Sequence, residues 1–352
     1  MKCGCVGLPN VGKSTLFNAL MKKQIADAQN YPFCTIEPNS GSVAINDSRL
    51  DELSKISQSK KIIPTTLECI DIAGLVKGAS KGEGKGNAFL SHIRQVDLII
   101  HVIRCFENEN ITHVENDIDP IRDINLIETE LILADMEILE RWKHKRNVVE
   151  YKKEFKIIDN TINLLNDGKY LYFEDISQEN LIWLRQLGLI TTRPMFFVAN
   201  VDSDSSQNEH FLKVQQYALS KNISVVPVQA KFEAECIDFT DEEIEELAPN
   251  HARALNTILK TGYDILQLQT YFTSGEKETR AWTIKKGTLA PQAAGKIHTD
   301  FERGFISADV LSYDNFIKYR GWSEAKKAGK VHLAGRSYEV QNGDVMLFKF
   351  NV

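Results

Sequence analysis

Short apolar runs alternate with segments of helical periodicity along the first part of the chain. Cys3–Val6, Ser42–Ile45, Thr66–Ile72, Asp97–Arg104, Met195–Asn200 and Val225–Gln229 are predicted strands, and Thr15–Lys22 and Arg49–Ile56 predicted helices. Strands this apolar, separated by helices, predict an α/β fold with a mostly parallel sheet covered on both faces. Between about Ile127 and Leu187 the period lengthens. Leu131, Ala134, Ile138 and Leu139, then Ile157, Ile158, Ile162, Leu164 and Leu165, form two helical stripes. They predict two antiparallel helices, a coiled-coil-like insertion, with the intervening lysines (Lys143, Lys145, Lys152, Lys153, Lys156) read as a solvated face. From Gly275 the texture turns β-rich, with predicted strands at Arg280–Ile284, Ser307–Val310, Val331–Leu333, Ser337–Val340 and Val345–Phe350. Asn342-Gly343-Asp344 is a tight-turn signal before the last of them. The expected division is an α/β domain over 1–126 and 193–274, a helical insertion over 127–192 and a small β-rich domain over 275–352.

The chemistry concentrates where the first strand ends. Gly7-Leu8-Pro9-Asn10-Val11-Gly12-Lys13-Ser14-Thr15 fits G-x-x-x-x-G-K-[ST], with a strand before it and a helix after it. Glycines let several backbone N–H groups turn toward one anion, and the helix presents its positive end to the same phosphates. Asn10 to Thr15 are the expected nucleotide contacts, with Lys13 charging the β/γ-phosphates and Ser14 a hydroxyl ligand for Mg²⁺. Asp71-Ile72-Ala73-Gly74 follows an apolar strand, the place for an acidic residue on the outer side of Mg²⁺. Gly74 can offer its N–H to the γ-phosphate, and the Thr35 hydroxyl is placed to close over the metal.

These residues, with Asn30–Asn39, Asp71–Ser80, Gly86–His92 and Arg280–Phe305, resemble the Obg-like ATPase family (YchF) of translation-factor-related P-loop proteins. The resemblance implies a P-loop NTPase G domain, a helical insertion and a C-terminal TGS domain. It also implies an Mg²⁺-dependent switch that hydrolyses ATP to ADP and phosphate, associates with the ribosome or a subunit, and acts in translation or stress regulation. Guanine-specific relatives carry N-K-x-D; here the segment is Asn200-Val201-Asp202-Ser203, which lacks the guanine-reading carboxylate. ATP is therefore expected to bind at least as well as GTP. Asn200, Val201 and the Gln229-Ala230-Lys231 turn are candidates for lining the base, with Asp202 or Asp204 able to occupy the space Ser203 leaves. Leu75 stands where many switch proteins place a water-orienting glutamine, and His113 matches the family histidine cast in that role. Asn10 resembles the asparagine that holds a monovalent cation in some relatives, which makes K⁺ a second candidate cofactor.

Composition adds little to the chemistry but bounds the class. With 352 residues, 43% hydrophobic and 26% charged, the chain has material for more than one core. No apolar run approaches bilayer length, and no basic-then-apolar leader precedes the phosphate loop, so a cytoplasmic protein with no membrane partner is expected. The six cysteines form no C-x-x-C pair and read as buried thiols, with Cys34 inside a candidate nucleotide loop. The net charge of −6 is uneven: from Gly275 onward 13 Lys and Arg face 9 Asp and Glu, a balance of +4. That bias, with Trp282, Phe301, Phe305 and Tyr313, leaves RNA as a candidate partner of the C-terminal domain. Two other readings remain at this point: a GTP-specific switch of the same fold, and a ribosome- or RNA-binding module with nucleotide as a structural ligand.

Overall fold

The apolar runs of the α/β segment become the strands of a seven-stranded sheet. A computed structural model describes residues 1–28, 36–37, 40–72, 85–108, 111, 117–202, 205–237, 239, 243–244, 246 and 254–351. The strands are β1 Lys2–Val6, β2 Ile36–Glu37, β3 Ser40–Ile45, β4 Ile62–Ile63, β5 Thr65–Asp71, β6 Leu98–Cys105, β7 Met195–Val201 and β8 Val225–Val228. All but β4 belong to one sheet, in the order β2-β3-β5-β1-β6-β7-β8. β1 runs parallel to β5 and β6, β6 to β7 and β7 to β8, while β2 pairs antiparallel with β3. The sheet is thus mixed. Every residue of β6 and β7 is buried, which is why both read as continuous rather than alternating apolar runs.

Helices α1 Lys13–Ala28, α2 Arg49–Ser57 and α3 Lys85–Ile93 alternate with these strands. The inserted segment begins earlier than its periodicity suggested. α4, Pro120–His144, is started by Asp119, whose carboxylate accepts from the N–H groups of Ile121 and Arg122, with Pro120 in the first turn. α5, Lys152–Asn166, follows, then a 3₁₀ turn at Leu171–Phe173 and α6, Gln178–Gln186. The insertion therefore holds a third helix beyond the expected pair, too short to show a clear stripe. Trp142 near the end of α4 meets Phe155 near the start of α5, so the two long helices form a hairpin. α4 is tied down by Asp135, fully buried, whose carboxylate accepts from the Ile190 and Thr191 N–H groups and the Thr191 hydroxyl at 2.7–2.8 Å. α7 Glu209–Ser220, α8 Ala230–Glu235 and α9 Ala254–Ile265 complete this part of the chain.

The chain divides into two compact units, the first holding Met1–Lys23, Ile36–Gly41 and Glu68–Ile258, the second including Ser42–Leu67 and Leu259–Val352. The second unit is built on a six-stranded sheet. Its strands are β9 Leu268–Ser274, β10 Thr279–Lys285, β11 Phe305–Ser312, β12 His332–Ala334 and β13 Asp344–Phe350, in the order β12-β11-β13-β9-β10-β4. Short helices α10 Ala290–Ile297, α11 Thr299–Arg303, α12 Tyr313–Lys318 and α13 Trp322–Lys327 lie between strands, so the unit is less purely β than its texture suggested. Period-two alternation sorts its core into two clusters. Tyr271, Val310 and Met346 join the alanines of α10 in one, while their neighbours Phe272, Leu311 and Val345 join Leu50 and Leu53 of α2 in the other.

Two expectations fail here. Ser337–Val340 is no strand: Glu339 makes only an isolated bridge to Leu289, and Asp344 draws the chain into a turn by accepting from Gln341 N–H and Tyr338 O–H. The change of texture at Gly275 falls inside the β9–β10 hairpin, because the sheet takes Leu268–Ser274 as an inner strand. The turn signal before the last strand holds, with Gly343 at φ +92° and β13 starting at Asp344. Among the described residues no helix is long and apolar enough to cross a membrane.

One core residue makes acid stability measurable. His101 of β6 is 1% exposed, its Nδ1 has no hydrogen-bond partner among the described residues, and its ring meets Phe197 edge-on at 5.5 Å. Burial pushes its pKa down to about 3. Below the unfolded value near 6.5 the unfolded chain takes a proton the folded chain refuses, so stability falls as pH falls. Between pH 7 and pH 5 this costs about 2 kcal/mol. Asp135, pushed up to about 6 by burial, acts in the opposite sense: the folded chain takes its proton first, so its contribution rises as pH falls from 6 toward the unfolded range. The wild-type slope is therefore a difference. Urea unfolding of His101→Leu at the two pH values isolates the histidine, with an acid loss smaller than the parent's by about 2 kcal/mol. Equal losses in both proteins would contradict it.

Candidate functional site

The turn from β1 into α1 shows why its glycines cannot be replaced. A Cβ on Gly7 would stand 2.6 Å from the Val102 carbonyl oxygen. Gly12 has φ +90°, and a Cβ there would come within 2.1 Å of Asn200 Nδ2. Asn10 also takes a left-handed conformation, φ +64°, one that asparagine tolerates better than most residues. α1 opens directly from this curl, Leu16 N–H bonding to the Gly12 carbonyl at 2.9 Å.

Strand register brings the second motif to the first. β1 and β5 pair in parallel with Cys5 opposite Asp71, so the carboxylate emerges beside the start of α1. The Lys13 ammonium, 8% exposed as a residue, forms an ion pair with Asp71. Ser14 Oγ donates to the other Asp71 oxygen at 3.1 Å. Three side chains assigned to phosphate and Mg²⁺ from the sequence thus converge on one point.

Asn200, at the end of β7, links the loop to the rest of the site. Its Nδ2 donates to the Val11 carbonyl at 3.0 Å, and its Oδ1 accepts from Ala230 N–H at 3.1 Å. The side-chain amide is 6% exposed as a residue and so acts as a clamp between the phosphate loop and the start of α8. Beside it opens a cavity of about 580 Å³, lined by Asn10, Gly12 and Thr15, by Asn200 to Asp202, and by Gln229 to Phe232. That volume suits a nucleoside.

A further wall was not anticipated. Phe106, Glu107, Asn108 and Ile111, in the loop after β6, also line the cavity. Buried Arg104 holds this loop by three bonds: Nε to the Phe106 carbonyl at 3.2 Å, Nη1 to Ile111 at 3.1 Å and Nη2 to Asn108 at 3.3 Å. Its guanidinium also lies 4.6 Å from the Phe106 ring centroid. Burial lowers the arginine's pKa, and nearby Asp123 partly restores it. An arginine beside the end of a buried, largely apolar strand is the available signal. Asp202 is engaged by its own chain, accepting from Glu107 N–H at 3.2 Å and Asn208 Nδ2 at 3.3 Å.

Thr35, Gly74, Leu75, His113, Ser203, Asp204 and Cys34 lie outside the described residues. Burial holds the thiols of Cys3, Cys5 and Cys105 up at about 12 and raises that of Cys69, as unreactive core cysteines require.

A glycine-curled loop opening a helix, a lysine and serine facing a strand-end aspartate, and a nucleoside-sized cavity define a P-loop nucleotide-binding protein of the G-domain class. The model of a family described as 50S ribosome-binding GTPase matches residues 2–201, and that of the YchF-type GTPase C-terminal domain, described as a protein of unknown function, matches 268–351. The chain is 49% identical to "Ribosome-binding ATPase YchF" of Escherichia coli O157:H7, over 100% of this chain and 99% of the relative. It is 47% identical to the protein of the same name from Bacillus subtilis, over 100% of both. The solved Schizosaccharomyces pombe YchF GTPase superposes with a TM-score of 0.89 at 38% identity, over 99% of this chain and 97% of that one. The chain belongs to the YchF family.

Proposed function

We propose that this chain is a ribosome-associated ATPase switch that cleaves ATP to ADP and phosphate. The observation that carries the reading is the convergence of Lys13 and Ser14 on Asp71 beside a nucleoside-sized cavity. Lys13 and the loop amides would neutralise charge on the β/γ-phosphates while water attacks the γ-phosphorus in line. His113 would orient that water, since Leu75 cannot. ATP over GTP is supported by Val201 at the cavity and by Asp202, whose carboxylate is held by Glu107 and Asn208 rather than presented to a base.

Mg²⁺ fits the residues present. Ser14 and Asp71 are hard oxygen donors side by side. That sparse donor set suits a cation shared with phosphates and waters. Ser14 and Thr35 would hold it, with Asp71 on the outer side; when bound it would offset charge on the phosphate oxygens. Asn10 would contribute to a K⁺ site. The domain reading is a nucleotide-binding part interrupted by a helical insertion that begins with α4, and a C-terminal TGS-like domain that includes β9 and is able to meet RNA. A ribosomal partner agrees with the names the relatives carry, and a cytoplasmic location would follow from that partner.

Parallel titration with ATP and GTP tests the base choice. ATP is expected to bind at least as tightly, and a GTP preference above about tenfold, 1.4 kcal/mol, would reverse the reading. Turnover with and without ribosomes tests the switch, and none in either condition would leave nucleotide a structural ligand.

A further inference from the structure

A dense run of positive charge lies at the turn between α4 and α5. Between Arg141 and Lys156 there are seven Lys and Arg against Glu150 and Glu154, a local balance of +5 in a chain of net −6. The structure gathers them at one place, the end of α4, the start of α5 and the connection between them. α4 has 25 residues, so this tip stands roughly 37 Å along the helix from Pro120.

An ordinary solvated helix face does not account for the arrangement. Lys143 is paired with Asp159 at 2.6 Å, but Lys145, Arg146, Lys152, Lys153 and Lys156 are all exposed and crowd one end. Beneath them the tip is packed on aromatic rings. Trp142 meets Tyr151, Phe155 and Trp183 edge-on at 5.3–6.0 Å, and the Arg146 guanidinium lies 4.5 Å from the Trp142 ring centroid. At the apex Val148 and Val149 are 57% and 86% exposed, an apolar knob the fold does not use. The cost of gathering like charges is borne by an aromatic base that holds them in place. The C-terminal unit's excess is smaller, and several of its charges are already paired, as in Lys349–Asp309 and Lys327–Glu324.

We propose that the tip of the α4–α5 hairpin docks on a phosphate backbone, and that its partner is double-stranded RNA exposed on the ribosome. This rests on the ribosome-associated reading above. The A-form minor groove is wide and shallow, open to a blunt hairpin end, with phosphates along both rims for the lysines. Each lysine placed on a phosphate releases condensed counterions, so the contact is strongly salt-dependent.

The test is a fourfold variant, Lys145→Ala, Lys152→Ala, Lys153→Ala and Lys156→Ala, which spares Arg146 and Trp142. Alanine keeps helical propensity at exposed sites, and none of the four residues belongs to the nucleotide machinery. Parent and variant are titrated against purified ribosomes and, separately, a short RNA duplex, at 50 and 200 mM KCl, with basal ATP turnover measured alongside. The expected result is at least about tenfold weaker binding to both, a log–log salt slope on the duplex shallower by about 3 to 4, and unchanged turnover. Equal binding by parent and variant would overturn the proposal. Loss on ribosomes without any parent binding to the duplex would overturn the RNA assignment in favour of an acidic protein surface. A parent that misses ribosomes yet binds the duplex through these lysines would refute the ribosome reading and keep the phosphate-docking tip.

Discussion

Replacing Lys13 with alanine is expected to lower kcat for ATP by about a hundredfold or more, the usual loss when one preorganised charge is removed from a phosphoryl-transfer site. The structure gives this a specific form. The ammonium is nearly buried and paired with Asp71, whose other oxygen accepts from Ser14. Binding a triphosphate must redirect that ammonium from a carboxylate to the phosphates. Lys13→Ala therefore removes the charge and also strands Asp71, which no longer has a cation beside it. Lys13→Arg should not rescue turnover, because a planar guanidinium cannot replace a compact ammonium in so closed a curl. The check is steady-state ATP hydrolysis with a parallel unfolding measurement to show that the variant is folded. Parental turnover from folded Lys13→Ala would remove the phosphate loop from the reaction.

The parts of this site that could be read from the sequence are those where backbone geometry leaves no choice of residue. Gly7 and Gly12 are required because a Cβ at either would collide with a neighbouring strand or with Asn200. Asp71 was legible because a short parallel strand delivers its last residue next to the one before the loop. The loop of Phe106 to Ile111 carries no motif. Its place depends on bonds from Arg104 to backbone carbonyls, and any residue has a carbonyl to offer.

The second unit was harder for a different reason. β9, Leu268–Ser274, alternates imperfectly because one of its faces packs against Leu50 and Leu53, more than two hundred residues earlier. Local pattern cannot reveal such a partner, so the change of texture in the sequence shows only after this strand. α10 escaped for want of large apolar residues: Ala290, Ala293 and Ala294 form its buried face.

Arg104→Ala is expected to weaken ATP binding about a hundredfold while leaving the phosphate loop intact. The side chain gives three hydrogen bonds to the loop after β6, and at roughly 1 kcal/mol each their loss removes about 3 kcal/mol of loop order. A loop that must be ordered anew when nucleotide arrives passes that cost to the affinity, and about 3 kcal/mol is two powers of ten. Arg104→Lys, able to reach one carbonyl at a time, should fall between the two. Equilibrium titration of each variant with ATP reads the effect, and unfolding in urea separates it from global loss of structure. Affinity unchanged in a folded Arg104→Ala protein would mean that the loop orders itself without the arginine. The distinction matters because His113 follows Ile111 by two positions in the sequence. An arginine on a central strand would then set the position of the base wall and of the residue proposed to orient the attacking water, and kcat should fall along with affinity.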